Sequence, residues 1–249
     1  MSSAAGGRER IAGLLNQAAR LAAVTCAPGG PRAIVLQRPF SLSAFHLVAG
    51  LQRLGLHFRT VIDVGANVGQ FTAAAQGSWP RARFLAFEPL PRAADMLRRR
   101  SGVEVHQLAI GDHDGTTRFY PHTYSLSSSA LRVVTDVQDR HWALETGPID
   151  VTMRRLDTVL AERELEGPVL LKLDVQGLET AVLAGAPATL ARVDALVLEV
   201  AFERSYQGQP LFPEVQRSLD DAGWTRVHPL DWRVDGGRIV EADMLYLRE

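Results

Sequence analysis

Apolar positions follow two rhythms along the chain, first helical and then alternating between strand and helix. Residues 8–24 set Ile11, Leu14, Leu15, Ala18 and Leu21 at helical spacing, and "APGGP" stops them. "SLSAFHLVAGLQRLGLHF" repeats the helical pattern with Ser41 as its N-cap. From residue 60 the pattern changes. "TVIDV" predicts a strand, Gly69 to about Gly77 a helix, "ARFLAFEP" a second strand, and "PRAADMLRRR" a helix with Pro91 in its first turn. "VEVHQLAI" predicts a third strand, with "TTRFYPH" and "IDVTMRRLDTVL" as strand pieces around a Ser-rich loop. "PVLLKLDV" is a fourth main strand, "LETAVLAGAPATLARV" its helix, "ALVLEVAF" a fifth strand and "PEVQRSLDDAGW" a further helix. The tail "TRVHPLDWRVDGGRIVEADMLYLR" predicts two strands around the turn "VDGGR".

Near-continuous apolar strands separated by helices imply an α/β, doubly wound, mostly parallel sheet covered on both faces, closed by a hairpin that adds one antiparallel strand. Residues 1–57 are expected to form an N-terminal helical cap or interface segment, whose apolar faces a homodimer partner would cover. Residues 58–249 are expected to form one ligand-binding domain.

Composition narrows the functional classes. Hydrophobic residues at 46% and charged residues at 22% are ordinary for a soluble domain. A net charge of −1 argues against a nucleic-acid wrapper or a polybasic membrane binder. The single cysteine, Cys26, excludes an internal disulfide framework and a multi-cysteine zinc site. No apolar run approaches the ~18 residues of a membrane span, and the first residues lack the order of a signal peptide, so a cytoplasmic location is expected.

In such a sheet, ligands bind at the carboxyl ends of the strands. Here those ends are acidic: Asp63, Glu88, Asp112, Asp174 and Glu199. A dinucleotide site wants G-x-G-x-x-G, but the first turn offers Gly65-Ala66-Asn67-Val68-Gly69 beside Asp63, which would repel a pyrophosphate. Glu88 still suits a ribose diol, through two acceptor oxygens. A ligand with a ribose, no phosphate and a cationic end fits S-adenosylmethionine. Gly65, Asn67 and Gly69 would let the backbone approach its amino-acid end, Asp63 would bind the ammonium directly or through water, and Asp112 would accept from the adenine amino group.

With those residues placed, "VIDVGANVGQFT", "FLAFEPLP", "LAIGDHDG", "SSSAL", "RRLDTVL" and "LLKLDVQGLETAVLAGA" together resemble the FkbM family of S-adenosylmethionine-dependent methyltransferases over about residues 58–225. The resemblance implies a seven-stranded class I methyltransferase sheet and methyl transfer to an oxygen, most often on a sugar or another natural-product hydroxyl. It also assigns function to the Ser-rich loop, where Ser129 becomes a candidate cofactor contact.

A neutral hydroxyl is a poor nucleophile, so a base or a metal is expected. In one scheme Asp174 and Glu199, with Asp231 or His228 as a third ligand, bind Mg²⁺, which positions a saccharide or glycolipid acceptor. In the other a histidine, His141, His122 or His228, takes the proton. Asp174 and Lys172 share a strand face and are the other catalytic candidates. Two rivals stay open: a metal-independent methyltransferase of a small natural-product alcohol or nitrogen, and a non-catalytic protein that binds the same cofactor.

Overall fold

Three of the central strands carry no exposed side chain, so the chain must cover them from above and below. The computed structural model describes residues 18, 22, 24, 39–122, 127–134, 144 and 146–248. Most of the helix expected over 8–24 lies outside the described residues, as do Cys26 and His141.

The first described helix, α1 (Leu42–Arg53), starts where the Ser41 side chain accepts from the Ala44 N–H. It is followed by β1 (Thr60–Val64), α2 (Gln70–Ser78), β2 (Arg83–Phe87), α3 (Pro91–Arg98), β3 (Val103–His106), β4 (Ala109–Ile110), β5 (Gly115–Phe119) and β6 (Ile149–Arg154). Then come α4 (Leu156–Leu160), β7 (Val169–Leu173), α5 (Glu179–Ala184), α6 (Pro187–Leu190), β8 (Ala195–Ala201), α7 (Phe212–Asp221), β9 (Arg226–Asp235) and β10 (Arg238–Leu247).

Seven strands form the main sheet in the order β3-β2-β1-β7-β8-β10-β9. β1 pairs in parallel with both β2 and β7, whereas β10 runs antiparallel to β8 and β9. The chain leaves β1 towards β2 and β3, then returns to its other side at β7. This reversal opens a crevice at the carboxyl ends of β1 and β7, where an α/β sheet binds its ligand. Helices α1 and α2 cover one face, with Leu47, Leu51, Phe71 and Trp79 packed on Val61, Leu170, Val197 and Leu245. Leu156, Leu160, Val182, Leu219 and Trp224 cover Ile62, Leu85, Leu171 and Leu198 on the other.

Two predicted elements break in ways the apolar pattern did not signal. The third strand divides because the His106 carbonyl accepts from both Glu88 N and Leu108 N, which turns the chain out of the main sheet. Ala109–Ile110 then pairs with β6 in a separate three-stranded sheet, ordered β4-β6-β5. The long helix after β7 divides at Gly185, and Pro187 opens the second piece. Among the described residues no helix is long and apolar enough to cross a membrane.

Candidate functional site

The turn after β1 is built for close backbone contact. Gly65 has φ +80°, and a Cβ there would stand 1.8 Å from the Asp174 carbonyl oxygen. No side chain fits, so the β1 and β7 loops meet backbone to backbone. Asn67 also lies in the left-handed region, with φ 48°. Its side-chain oxygen accepts from Val68 N at 2.8 Å, the local bonding that makes Asn tolerable there. Gly69, at φ +88°, then caps α2.

Glu88 ends β2 beside this turn and is 4% exposed. Its Oε2 accepts from Asn67 N and its Oε1 from Leu90 N, each at 2.8 Å. A carboxylate has about four lone-pair sites, so two remain for a ligand's hydroxyls. Burial pushes the Glu88 carboxyl up to about 7, against the two backbone N–H groups that lower it, with Asp63 adding repulsion.

Glu88 lines a cleft of about 530 Å³, counting its open mouth, together with Gly65, Asn67, Asp174 and Gln176. Its apolar wall comes from Leu90, Leu108, Ala109, Ile110 and Phe119. Four of these lie in the segment from the break of the third strand to β5, so the small second sheet supplies much of one side of the cleft.

Asp63 does not line this cleft. It is 1% exposed, accepts from Thr72 Oγ1 at 2.7 Å, and faces Lys172 Nζ at 3.4 Å. The cation beside it in the structure is therefore Lys172 from its own chain, where the sequence predicts a ligand ammonium. Lys172 also lies 3.2 Å from Asp174 Oδ2 and over the Phe71 ring. Burial opposes the lysine's charge, but Asp174 and Asp63 overcome that and raise its pKa above the ordinary value. Lys172 is a buried link between the two strand ends, not a group free to take a proton.

Asp112, expected at the adenine, lies apart from these residues. It is largely exposed, lies outside the cleft lining, and pairs with His113 Nδ1 at 2.6 Å. Accordingly, Asp112→Asn is expected to change S-adenosylhomocysteine affinity by less than about twofold, as exposed pairs do, by calorimetry. Ser129 is buried outside the cleft lining, donating to the Gln176 carbonyl at 2.7 Å. The neighbouring Ser128 lines the cleft instead, its hydroxyl accepting from His122 N. A one-residue shift along an extended segment turns a side chain to the other side, which the serine run could not reveal.

The proposed metal ligands do not assemble. Gln176 Nε2 lies between Asp174 Oδ1 at 2.8 Å and Glu199 Oε1 at 3.2 Å. Asp231 sits across from Asp243 on the far side of β10 from Glu199, and its Oδ1 accepts from Trp232 N. His228 lies on the same strand, in register with Leu245. Among the described residues no three His, Cys, Asp or Glu side chains are grouped to hold a metal ion. The donor set therefore does not fit the Mg²⁺ centre expected from Asp174, Glu199 and Asp231.

Four participants escaped the sequence reading. Asp243 lies opposite Glu199, and burial with Asp174 nearby pushes its carboxyl up to about 7. Burial, then Glu241, Asp174 and Asp243, raise Glu199 well above the usual range. Glu179 takes Val175 N and Gly177 N, and so folds the "DVQGLE" turn. Gln176 and Tyr206 complete the set through a hydrogen bond between their side chains. Glu179 had a visible signal, an acid in the first turn of a predicted helix. The other three depend on contacts between distant segments.

A parallel sheet that reverses at β1 and ends in an antiparallel β10, with an acid closing β2 beside a glycine turn, is the class I methyltransferase fold. Residues 63–224 match the model of the methyltransferase FkbM domain, and the chain belongs to that family of methyltransferases. It is 32% identical over 160 residues to the 2-O-methyltransferase NoeI of Sinorhizobium fredii, covering 60% of this chain and 66% of that one. It is 34% identical over 167 residues to the 31-O-demethyl-FK506 methyltransferase FkbM of Streptomyces tacrolimicus, covering 56% and 64%. The chain thus spans just under two thirds of the length of these two relatives. The N-terminal domain of EvdMO1, solved in the presence of SAH and D-fucose, superposes with a TM-score of 0.48 at 10% identity, covering 83% of each chain.

Proposed function

We propose that the cleft binds S-adenosylmethionine and that the protein transfers its methyl group to a hydroxyl of a saccharide or glycolipid. The observation that carries this reading is Glu88: buried, fixed by two backbone N–H groups, and facing a cleft beside the Gly65 turn. Glu88 would accept from both ribose hydroxyls. Leu90, Ala109, Ile110 and Phe119 suit the adenine, while the backbone around Gly65 suits the amino-acid end. When bound, the cofactor supplies an electrophilic methyl group. As the carbon–sulfur bond breaks and the carbon–oxygen bond forms, the acceptor's proton passes to a base. Asp174 is assigned that role because it lines the cleft at the end of β7 and Lys172 steadies its carboxylate.

The oxygen acceptor is supported by the similarity to NoeI, a 2-O-methyltransferase. A panel of saccharides with free vicinal hydroxyls, a polyketide-like alcohol and an amine, assayed with radiolabelled cofactor, tests the reading. Labelling of a saccharide is expected, with Asp174→Asn lowering kcat by about a hundredfold or more at nearly unchanged S-adenosylhomocysteine affinity. Loss of turnover in His141→Ala but not in Asp174→Asn would move the base to His141. Labelling of the polyketide-like alcohol or the amine alone would overturn the saccharide assignment. Cofactor binding with no transfer to any acceptor would favour a non-catalytic binding protein.

A further inference from the structure

Gln176 lines the cleft, yet the scheme above gives it no task. It is one of two non-glycine residues with positive φ among the described residues, at 54°. Such a backbone is unfavourable for an ordinary L residue, so its surroundings must hold it. They do so from four directions. Its carbonyl accepts from Ser129 Oγ at 2.7 Å, and its side-chain Oε1 accepts from the Tyr206 hydroxyl at 2.8 Å. Its Nε2 donates to Asp174 Oδ1 and to Glu199 Oε1. In this orientation the amide nitrogen meets two carboxyl oxygens and the amide oxygen meets the Tyr206 hydroxyl.

Tyr206 is itself fixed. It is 2% exposed, and its hydroxyl also lies 2.8 Å from the Ser127 carbonyl. The Gln209 side chain accepts from Ser205 N and Tyr206 N and closes the turn that carries it. A bridge from Tyr206 to Val133 ties that turn to the serine segment. Gln176 therefore joins three pieces of chain, the serine segment, the β7 turn and the turn after β8. The β7 turn matters for the cofactor, since the Asp174 carbonyl occupies the space beside Gly65. Whatever fixes residues 174–177 also fixes the wall against which the glycine turn rests.

We propose that Gln176 is a positioning residue of the cofactor site: held by Tyr206 and Ser129, it bridges Asp174 to Glu199 and locks the β7 turn against Gly65. The inference rests on the cofactor reading of the cleft. Its test is calorimetric titration of the full chain with S-adenosylhomocysteine. Gln176→Gly keeps the backbone conformation accessible and removes the bridge, so Kd is expected to rise about tenfold, and about threefold in Tyr206→Phe. Because the two act in one chain of contacts, the double variant is expected to bind within about twofold of Gln176→Gly alone. Gln176→Glu has the same shape but repels both carboxylates when charged. Its affinity relative to the wild type is therefore expected to recover as pH falls, as the new carboxyl gains a donor proton. The same ratio for Gln176→Gly stays flat.

A residue that merely fills space would give flat ratios for both variants and losses that multiply in the double variant. That result overturns the proposal, as does wild-type affinity in Gln176→Gly. Should Gln176→Gly not fold, Tyr206→Phe and Gln176→Glu carry the same comparison. A folded wild type that does not bind S-adenosylhomocysteine removes the cofactor reading and this inference together, whereas equal binding by wild type and variants removes only the inference.

Discussion

Glu88→Gln is expected to weaken S-adenosylhomocysteine binding by about a hundredfold, although it changes one oxygen to an NH₂ group. The carboxylate already accepts a backbone N–H on each oxygen. An amide in its place must turn its NH₂ towards Asn67 N or Leu90 N, donor against donor, in a buried setting. It also loses half of its capacity to accept from a ribose diol. Glu88→Ala is expected to bind as weakly, with titration calorimetry as the measure for both. Near-wild-type affinity in either folded variant would place the ribose elsewhere.

The same residue sets opposite pH dependences for the empty fold and for binding. Hydroxyl donors favour the carboxylate, so binding releases a proton wherever Glu88 is still protonated. Affinity is then expected to fall by up to about tenfold per pH unit below about pH 7. Without ligand, a carboxyl whose folded pKa exceeds its unfolded value contributes stability below the unfolded pKa and loses it as pH rises through the folded one. Glu88, Glu179 and Asp243 all titrate at about 7 in the fold, raised chiefly by burial. The ligand-free protein is therefore expected to melt at a lower temperature at about pH 8 than at about pH 6, and the shift on adding ligand to grow over the same interval.

Lys172→Met is the second large effect, and it falls on folding. Lys172 is the chain's only lysine, and its ammonium is the cation beside both Asp63 and Asp174. Removing it leaves the Asp63 carboxyl 1% exposed without that cation, with Thr72 as its donor. Breaking a buried pair from one side costs about 3–5 kcal/mol. In a domain of this size that lowers Tm by about 10 °C. Asp63→Asn in the Lys172→Met background removes the stranded charge and is expected to restore part of the loss. Equal melting temperatures for wild type and Lys172→Met would show that the lysine is not a structural link.

Much of the fold was legible because it depends on local period. The buried run "TVIDV", the Ser41 cap, Pro91 in its first turn and the glycine pair in "VDGGR" all mark elements where the structure has them. The departures have a different origin. The break after His106 is set by backbone partners contributed by Glu88 and β6, which lie outside any window around it. At the site, the acids at the ends of β1, β2, β7 and β8 were visible, but their roles were not. Asp63 and Glu88 look equivalent in sequence, yet one faces Lys172 and the other faces the cleft. What separates them is the lysine on the adjacent strand, in register with Asp63. Pairing between strands more than a hundred residues apart leaves no mark on either segment alone.

The most direct measurement is a crystal structure of the protein with S-adenosylhomocysteine. The account predicts density in the cleft with both ribose hydroxyls on the Glu88 carboxylate, the adenine among Leu90, Ala109, Ile110 and Phe119, and the amino-acid end beside Gly65. Ligand bound away from Glu88, or a cleft that stays empty at saturating ligand in the folded protein, would contradict it.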